Sequence, residues 1–317
     1  MRRVAPLLVF VIVACSPGDA GEVTTTVQGP TTSTLGATTT TQVVTTTMAT
    51  ETTIPTSTTS TLAPSTTTLP AGNWAEEPLI VAGFGALGWW DGANWLYAEE
   101  VGALPVVGGE DYQIAVIGLE ATTTGGPQTV VCDPLENLGV QLANEQVLGE
   151  FPGPYGVAIS APWDLQPHLV EPFVDSGTYA SIASTLLSQR GINVPDPVIK
   201  QAFRIDLEGD GTNEILVVTE DLVSGYEAAA GSYSLVFLRK VVDGEVQTAV
   251  LGDSIITDPL TQLVIGFTVG AIADLNGTGQ MEIVIDSAYY EGLGVEVWEY
   301  VNDDLGPVSV LSTGCGS

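Results

Sequence analysis

The stretch IDLEGDGTNEILVV, from Ile205 to Val218, places acidic side chains at alternate positions and then runs into an apolar strand. With the first aspartate as position 1, acids also occupy positions 3, 5 and 9, and position 6 is Gly211. Glycine permits the positive φ of a sharp turn, so alternate side chains can converge on one point. Clustered oxygen ligands suit calcium. We therefore predict calcium as the cofactor, held by Asp206, Glu208, Asp210, Thr212 (through its carbonyl) and Glu214.

The same spacing returns in ADLNGTGQMEIVID, from Ala273 to Asp286. The two loops open 68 residues apart (274 − 206), and an apolar strand follows each one. The candidate ligands in this second copy are Asp274, Asn276, Thr278, Gln280 and Glu282. Only two of these side chains are acidic, so we expect the second site to bind calcium weakly. The alternative for both loops is that Asp, Asn and Gly simply cap tight turns.

Two known loop types can be compared with this pattern. An EF-hand requires a carboxylate at position 12, which here is Val217, so that assignment is rejected. The pattern instead resembles the FG-GAP/VCBS repeats, the calcium loops of integrin-like propellers, written D-x-[DN]-x-[DN]-G-x-x-[DE]. The first copy departs from it at Glu208 and the second at Thr278. The resemblance covers roughly residues 200–317 and implies blade-like strand–loop–strand units.

The region from residue 73 onward is predicted to be one β-rich globular domain. Residues 73–200 contain short strand-like runs and one helix at 176–191, and residues 201–317 form two blade-like repeats. A closed propeller needs at least about four blades. We therefore predict a mainly antiparallel β fold, a partial or irregular propeller, with one inserted helix. The apolar face of that helix consists of Tyr179, Ile182, Ala183, Leu186 and Leu187.

The first 72 residues have a different composition. Residues 1–15, MRRVAPLLVFVIVAC, combine two arginines with a short apolar run, which is typical of a secretory signal. The end of this run resembles a bacterial lipobox, which implies lipid attachment at Cys15. Residues 16–72 are rich in threonine and proline and are predicted to be a disordered stalk. The predicted location is the outer face of a bacterial membrane, contacted through the lipid alone.

Charge, cysteine and histidine content narrow the possible partners and metals. The formal net charge of −31 disfavours nucleic acid as a partner, because nucleic acid binding needs clustered Lys and Arg. Outside the cytoplasm, Cys132 and Cys315 are expected to form a disulfide. With His168 as the one histidine and no CxxC pair, zinc is disfavoured.

Two functions remain open. The favoured one is a lipid-anchored, calcium-binding module, non-catalytic, that binds a polysaccharide or protein at the cell surface. The alternative is an extracellular hydrolase that acts on glycans through two carboxylates. Trp89, Trp90, Trp95 and Trp163 could stack on sugars, although tryptophans at strand and turn positions are more often core residues. Whether the protein is an enzyme is left undecided by the sequence, with the binding module preferred.

Overall fold

The computed structural model describes residues 78–149, 153–175, 177–242, 244–300 and 306–316. The predicted signal, the lipid-bearing Cys15 and the stalk lie outside the described residues. The described part consists of 17 strands, one α-helix and two short 3-10 helices, at Ala98–Glu100 and Glu145–Leu148. The prediction of a mainly antiparallel β fold with one helix is confirmed.

The strands form three sheets, of seven, five and four strands. Sheet 1 has the order β3-β2-β1-β7-β4-β5-β6. Its strands are β1 (Leu79–Ala82), β2 (Gly85–Trp90), β3 (Trp95–Tyr97), β4 (Asp111–Val116), β5 (Leu119–Val131), β6 (Asn137–Leu142) and β7 (Val157–Ile159). All its pairings are antiparallel.

Sheets 2 and 3 contain the two predicted repeats. Sheet 2 has the order β13-β12-β10-β9-β8, with β8 (Val170–Pro172), β9 (Ile199–Ile205), β10 (Glu214–Asp221), β12 (Tyr233–Val242) and β13 (Glu245–Ile255). The short strand β11 (Val223–Tyr226) lies between β10 and β12 in the chain. Sheet 3 is a four-stranded meander of β14 (Gly266–Ala273), β15 (Glu282–Tyr289), β16 (Gly292–Tyr300) and β17 (Pro307–Gly316).

Sheet 3 lies between the other two sheets, and both of its faces are buried. Along β15, Ile283 and Ile285 pack with the apolar residues of sheet 2, whereas Val284 packs with those of sheet 1. Because successive strand residues point to opposite faces, a strand covered on both sides needs an apolar residue at nearly every position. This explains why EIVID contains no alternation between apolar and polar residues.

A side chain of sheet 2 also bonds to the backbone of sheet 3. The amide of Gln201 donates to the Val269 carbonyl at 3.1 Å and accepts from the Val269 N–H at 2.8 Å. This contact lies at the irregularity of β14, where the pairing register shifts between Val269 and Ala271. The side chain therefore satisfies backbone groups of a β-bulge that would otherwise need another partner.

The single helix, α1 (Thr178–Gln189), covers the outer face of sheet 2. Its buried Ala183 and Leu187 pack against Phe237 and neighbouring apolar residues of the sheet, as the predicted apolar face requires. The helix ends before Gly191, whose φ of 95° lies in the left-handed region that commonly terminates helices. The order of layers is therefore α1, sheet 2, sheet 3 and sheet 1.

The predicted disulfide is present. Cys132 follows β5 and Cys315 belongs to β17, and their Cα atoms lie 5.5 Å apart. The bond connects sheet 1 to sheet 3 across 183 residues of sequence. Within the described ranges, no helix has the length and apolar character needed to cross a membrane.

Candidate metal loops

The two repeated loops lie side by side at the same end of sheets 2 and 3. Loop 1 (residues 206–213) joins β9 to β10, and loop 2 (residues 274–281) joins β14 to β15. The Met281 N–H at the end of loop 2 donates to the Leu207 carbonyl in loop 1 at 2.8 Å. The sequence repeat thus becomes a pair of adjacent loops held together by their backbones.

Both loops share two hydrogen bonds to the aspartate at position 1. The carboxylate at position 1, Asp206 or Asp274, accepts the N–H of position 5 at 3.1 Å and that of position 6 at 2.9 Å. Positions 4 and 6 are glycines with positive φ in each loop: Gly209 (72°), Gly211 (86°), Gly277 (73°) and Gly279 (85°). Side chains other than glycine rarely adopt this backbone, so the glycines determine the shape of the turn.

The glutamate at position 9 closes each loop from inside. Glu214 and Glu282 are 0% and 1% exposed, and each begins a strand. One oxygen of each accepts the N–H of the position 2 leucine, at 3.0 Å in loop 1 and 2.7 Å in loop 2. The other oxygen of Glu282 accepts the Asn276 amide at 2.8 Å. In contrast, Oε1 of Glu214 is buried without a hydrogen-bond partner among the described residues.

Two rings from the segment before β8 cover the glycines at position 4. A Cβ atom added to Gly209 would lie 2.6 Å from the His168 ring, and one added to Gly277 would lie 3.2 Å from Trp163. Nε1 of Trp163 also donates to the Asp274 carbonyl at 2.9 Å. His168 Nε2 lies 3.0 Å from the Gly279 carbonyl, so this ring contacts both loops. These contacts give His168 and Trp163 a packing role at the loops.

The loops differ at the strand position beside the closing glutamate. Ile215 pairs with Arg239, which places Lys240 next to Glu214; Ile283 pairs with Trp298, which places Glu299 next to Glu282. The Lys240 ammonium forms an ion pair with Glu208, the position 3 acid of loop 1. It also lies 3.5 Å from the centroid of the Tyr300 ring, which belongs to the neighbouring sheet.

At the equivalent place in loop 2 there is a further acid in place of a cation. The Asn276 amide, at position 3, donates to Glu299 Oε1 at 3.3 Å as well as to Glu282. Glu299 Oε2 accepts from Nε1 of Trp95, on sheet 1, at 3.1 Å. Loop 2 therefore has its position 3 side chain directed toward two glutamates.

These surroundings raise the pKa of both closing glutamates. Burial raises the pKa of Glu214 to about 7, although the Leu207 amide and the Lys240 charge act in the opposite direction. Burial also raises the pKa of Glu282 well above its usual range, and Asp274 and Glu299 raise it further. Burial alone would lower the pKa of Lys240, but Glu208 and Tyr300 outweigh that effect and the pKa is raised.

The remaining predicted ligands lie near the surface. Asp210 is exposed, and its Oδ1 accepts the Thr212 N–H at 2.6 Å. In loop 2, Thr278 and Gln280 are exposed, and the Gln280 N–H donates to Thr278 Oγ1 at 3.4 Å. In the part of the chain that the structure describes, no three His, Cys, Asp or Glu side chains are gathered closely enough to hold a metal ion.

The donor chemistry of loop 1 fits a hard cation. All its candidate ligands are oxygens, and a carboxylate oxygen that accepts one N–H still has acceptor capacity left. The unpartnered, buried Oε1 of Glu214 supplies an oxygen with no competing bond. Asp206, Asp210, the Thr212 carbonyl and Glu214 would hold the ion, while Glu208 is shared with Lys240. Binding would draw Asp210 inward from its exposed position.

Sequence reasoning missed Lys240, Glu299, Trp163 and His168 as parts of the loop environment. Lys240 and Glu299 could have been found from the strand register. The hairpin after each loop determines which residue lies beside the closing glutamate. No local signal exists for the two rings, since the distance in sequence from Trp163 to Asp274 is 111 residues.

The other three tryptophans that the sequence offered as a sugar-stacking surface, Trp89, Trp90 and Trp95, also have packing contacts. Trp89 is buried in the apolar core of sheet 1. The rings of Trp90 and Trp95 lie 5.2 Å apart in a tilted arrangement, and Trp95 reaches Glu299 as described.

Comparison of the chain with protein-family models, with curated proteins and with solved structures found no match in any of the three.

Proposed function

We propose that the chain is a calcium-stabilised, non-catalytic binding module at the outer face of a bacterial membrane. In this proposal, lipid on Cys15 anchors the protein and residues 16–72 hold the β domain away from the bilayer. The observation that carries the calcium part is the orphaned Oε1 of Glu214, buried inside a loop that already contains three other carboxylates. A buried polar atom without a partner costs free energy, which a bound cation would recover.

The likeness of the two loops supports a metal role over simple turn capping. Capping requires only the short bonds from the aspartate and asparagine side chains to the backbone. It does not require a buried glutamate at position 9, yet both loops have one. The sequence pattern of the loops resembles that of FG-GAP/VCBS repeats, and this resemblance implies that an acid at position 9 belongs to the ligand set.

The contacts of the charged loop residues and of His168 support the non-catalytic part of the proposal. Asp206 bonds two backbone N–H groups, Glu208 pairs with a lysine, and His168 packs between the loops. Each group has a structural task.

The calcium proposal is tested by thermal unfolding of the full chain in 10 mM calcium and in EDTA. With a Kd of about 0.1–1 mM, in the range of extracellular calcium modules, the ion adds about 1.4–2.7 kcal/mol. For a domain of this size that corresponds to a rise in Tm of roughly 3–10 °C. We expect Asp210→Ala to remove most of this rise.

The matched control is Asp91→Ala, because Asp91 also accepts backbone N–H groups in an exposed turn but lies outside both loops. It should lower Tm equally in calcium and in EDTA. Identical melting curves for the unmodified chain in calcium and EDTA would refute the calcium proposal.

The membrane proposal is tested separately, by expressing the chain in a bacterium and fractionating the cells. We expect the unmodified chain in the membrane fraction and Cys15→Ser in the soluble fraction, because the thiol that would carry the lipid is gone. Equal distribution of the two proteins would exclude lipid attachment at Cys15, and it would leave the calcium test unaffected.

A further inference from the structure

A second polar site lies at the opposite end of the strands from the two loops. It is a cavity of about 260 Å³ where parts of β9, β10, β11, β14 and β15 meet. Its polar lining includes Lys200, Glu220, Tyr226, Thr268 and Asp286. Loop 1 leaves from the end of β9 and enters the start of β10, whereas the cavity uses the start of β9 and the end of β10. The cavity is therefore separate from the candidate metal loops.

Asp286 is the unusual residue of this cavity. It is 1% exposed, and its Oδ2 accepts the Tyr155 N–H at 2.7 Å. Its Oδ1 is buried and has no hydrogen-bond partner among the described residues. Burial raises the pKa of this carboxyl well above its usual range, and the Tyr155 amide is the group that opposes the effect. A buried carboxylate without a counter-ion is costly, so a donor or cation at Oδ1 would stabilise the ionised form of this group.

The second carboxylate of the cavity, Glu220, already has a hydrogen-bond donor and a nearby positive charge. Its Oε2 accepts the Ser234 hydroxyl at 3.1 Å, and the Lys200 charge partly offsets the rise in pKa that burial causes. Lys200 is exposed at the rim of the cavity. The site thus contains one satisfied acid, one cation at the mouth and one unsatisfied acid inside.

The two acids lie against different parts of β14. Glu220 lies against Gly266 and Asp286 against Gly270, since a Cβ atom added to either glycine would lie within 2.9 Å of a carboxylate oxygen. These two glycines are four residues apart on the strand. A ligand that contacts both acids would therefore extend along β14.

We propose that this cavity binds a small aliphatic primary amine, with its ammonium group on Oδ1 of Asp286. An ammonium supplies both the missing donor and the missing positive charge. The strongly negative chain, at −31, raises the local concentration of cations around such a site. The other end of the ligand lies near Glu220 and Lys200, and the test below distinguishes a second ammonium from a carboxylate at that end.

The experiment is calorimetric titration of the full chain, in EDTA, with 1,4-diaminobutane, with 4-aminobutyrate and with 1,4-butanediol. We expect at least one of the two amines to bind and the diol, which has the same chain length without charge, to bind at least tenfold more weakly. Asp286→Asn should weaken amine binding at least tenfold. Its matched control, Asp258→Asn, changes an exposed turn acid outside the cavity and should leave binding unchanged.

Two more variants distinguish an ammonium from a carboxylate at the far end of the ligand. Glu220→Gln should weaken the diamine selectively if a second ammonium sits there, and Lys200→Met should weaken 4-aminobutyrate selectively if a carboxylate does. Asn fills the space of Asp without the buried charge, so Asp286→Asn should fold with an unchanged or raised Tm. Binding of the diol as tightly as the amines, or no amine binding at 10 mM, overturns the proposal whatever the variants do. Calcium is absent throughout, so failure here is distinct from failure of the calcium proposal.

Discussion

Loop 1 and loop 2 have glycines at the same positions, but the negative charge of each site comes from a different set of residues. Loop 1 contributes four carboxylates and its neighbour Lys240 one ammonium, so with every carboxyl ionised the formal charge is −4 + 1 = −3. Loop 2 contributes two carboxylates and its neighbour Glu299 a third, so its formal charge is also −3. The negative charge that a bound cation would balance therefore depends on the motif together with the adjacent strand. A count of acids within the motif alone underestimates loop 2.

The largest effect is expected from Lys240→Glu, which gives loop 1 the neighbour that loop 2 has. The lysine side chain is 8% exposed, and the change leaves Glu208 and Glu214 beside a third acid. Loss of one partner from a buried ion pair costs about 3–5 kcal/mol. We expect a loss of this size in urea unfolding in EDTA and a smaller loss in 10 mM calcium, because the ion takes over the role of the ammonium.

The control for this variant is Arg239→Glu, on the same strand, where the guanidinium donates an exposed hydrogen bond to the Thr248 hydroxyl. It should cost less than about 1 kcal/mol in either buffer. If Lys240→Glu were no more costly than this control, or if calcium did not reduce its cost, the ammonium would have no part in balancing the loop.

A smaller effect in the opposite direction is expected from Glu299→Gln. The amide keeps an oxygen for Trp95 Nε1, loses the 3.3 Å acceptor of the Asn276 amide, and removes one charge from beside Glu282, to which Asn276 still donates. In EDTA the free energy of unfolding should rise by about 1 kcal/mol, the size of a Coulomb term between partly screened neighbours. The stabilisation by calcium should fall. Glu291→Gln, in the exposed turn before β16, is the control, and an equal response of both variants would remove Glu299 from the loop 2 site.

The pH dependence of stability offers a third contrast between the loops. In metal-free protein the folded-state pKa of Glu214 is about 7, above its ordinary value of 4.5. Between these two pH values the folded protein keeps a proton that the unfolded chain has lost, so the free energy of unfolding falls as the pH rises. Glu282, with a pKa raised well above 4.5, adds to the fall above that pH.

Glu214→Gln should therefore flatten the fall between pH 4.5 and pH 7, by at most about 1.4 kcal/mol per pH unit. Glu282→Gln should also flatten the fall above pH 4.5. Urea unfolding at half-unit pH steps in EDTA measures both slopes, with the exposed Glu227→Gln as control. Slopes that match the control in both variants would mean that neither glutamate is buried as a proton-binding group.

The smallest effect is expected from Thr278→Asp, which supplies the position 5 acid that loop 2 lacks. Because Thr278 is exposed, the new charge is well solvated and the metal-free protein should lose less than about 0.5 kcal/mol. The midpoint of a calcium titration for loop 2 should shift to lower calcium by a few-fold. The reverse shift would indicate that position 5 of this loop does not face the ion.

Local sequence determined much of what could be predicted. The glycines at position 6, the apolar face of α1 and the mainly antiparallel fold follow from short-range spacing, and the structure confirms them. The disulfide between Cys132 and Cys315 followed from elimination in a chain with few cysteines. The metal itself and the location of the chain remain predictions.

What the sequence did not reveal depends on long-range packing. Whether Asp286 faces solvent or a core depends on which sheet covers β15, and no window of sequence contains that information. The same holds for the rings of Trp163 and His168, which reach the loops from at least 38 residues away in sequence. The stacking of sheet 3 between two other sheets decides these environments.

The most direct test of the central claim is anomalous diffraction from a crystal of the protein grown in 10 mM calcium. The account predicts a calcium peak in loop 1, with Glu214 Oε1, Asp206 and Asp210 at about 2.3–2.6 Å from the ion. An empty loop 1 in a well-ordered crystal, with Asp210 still directed outward and Glu214 Oε1 still unpartnered, would contradict it.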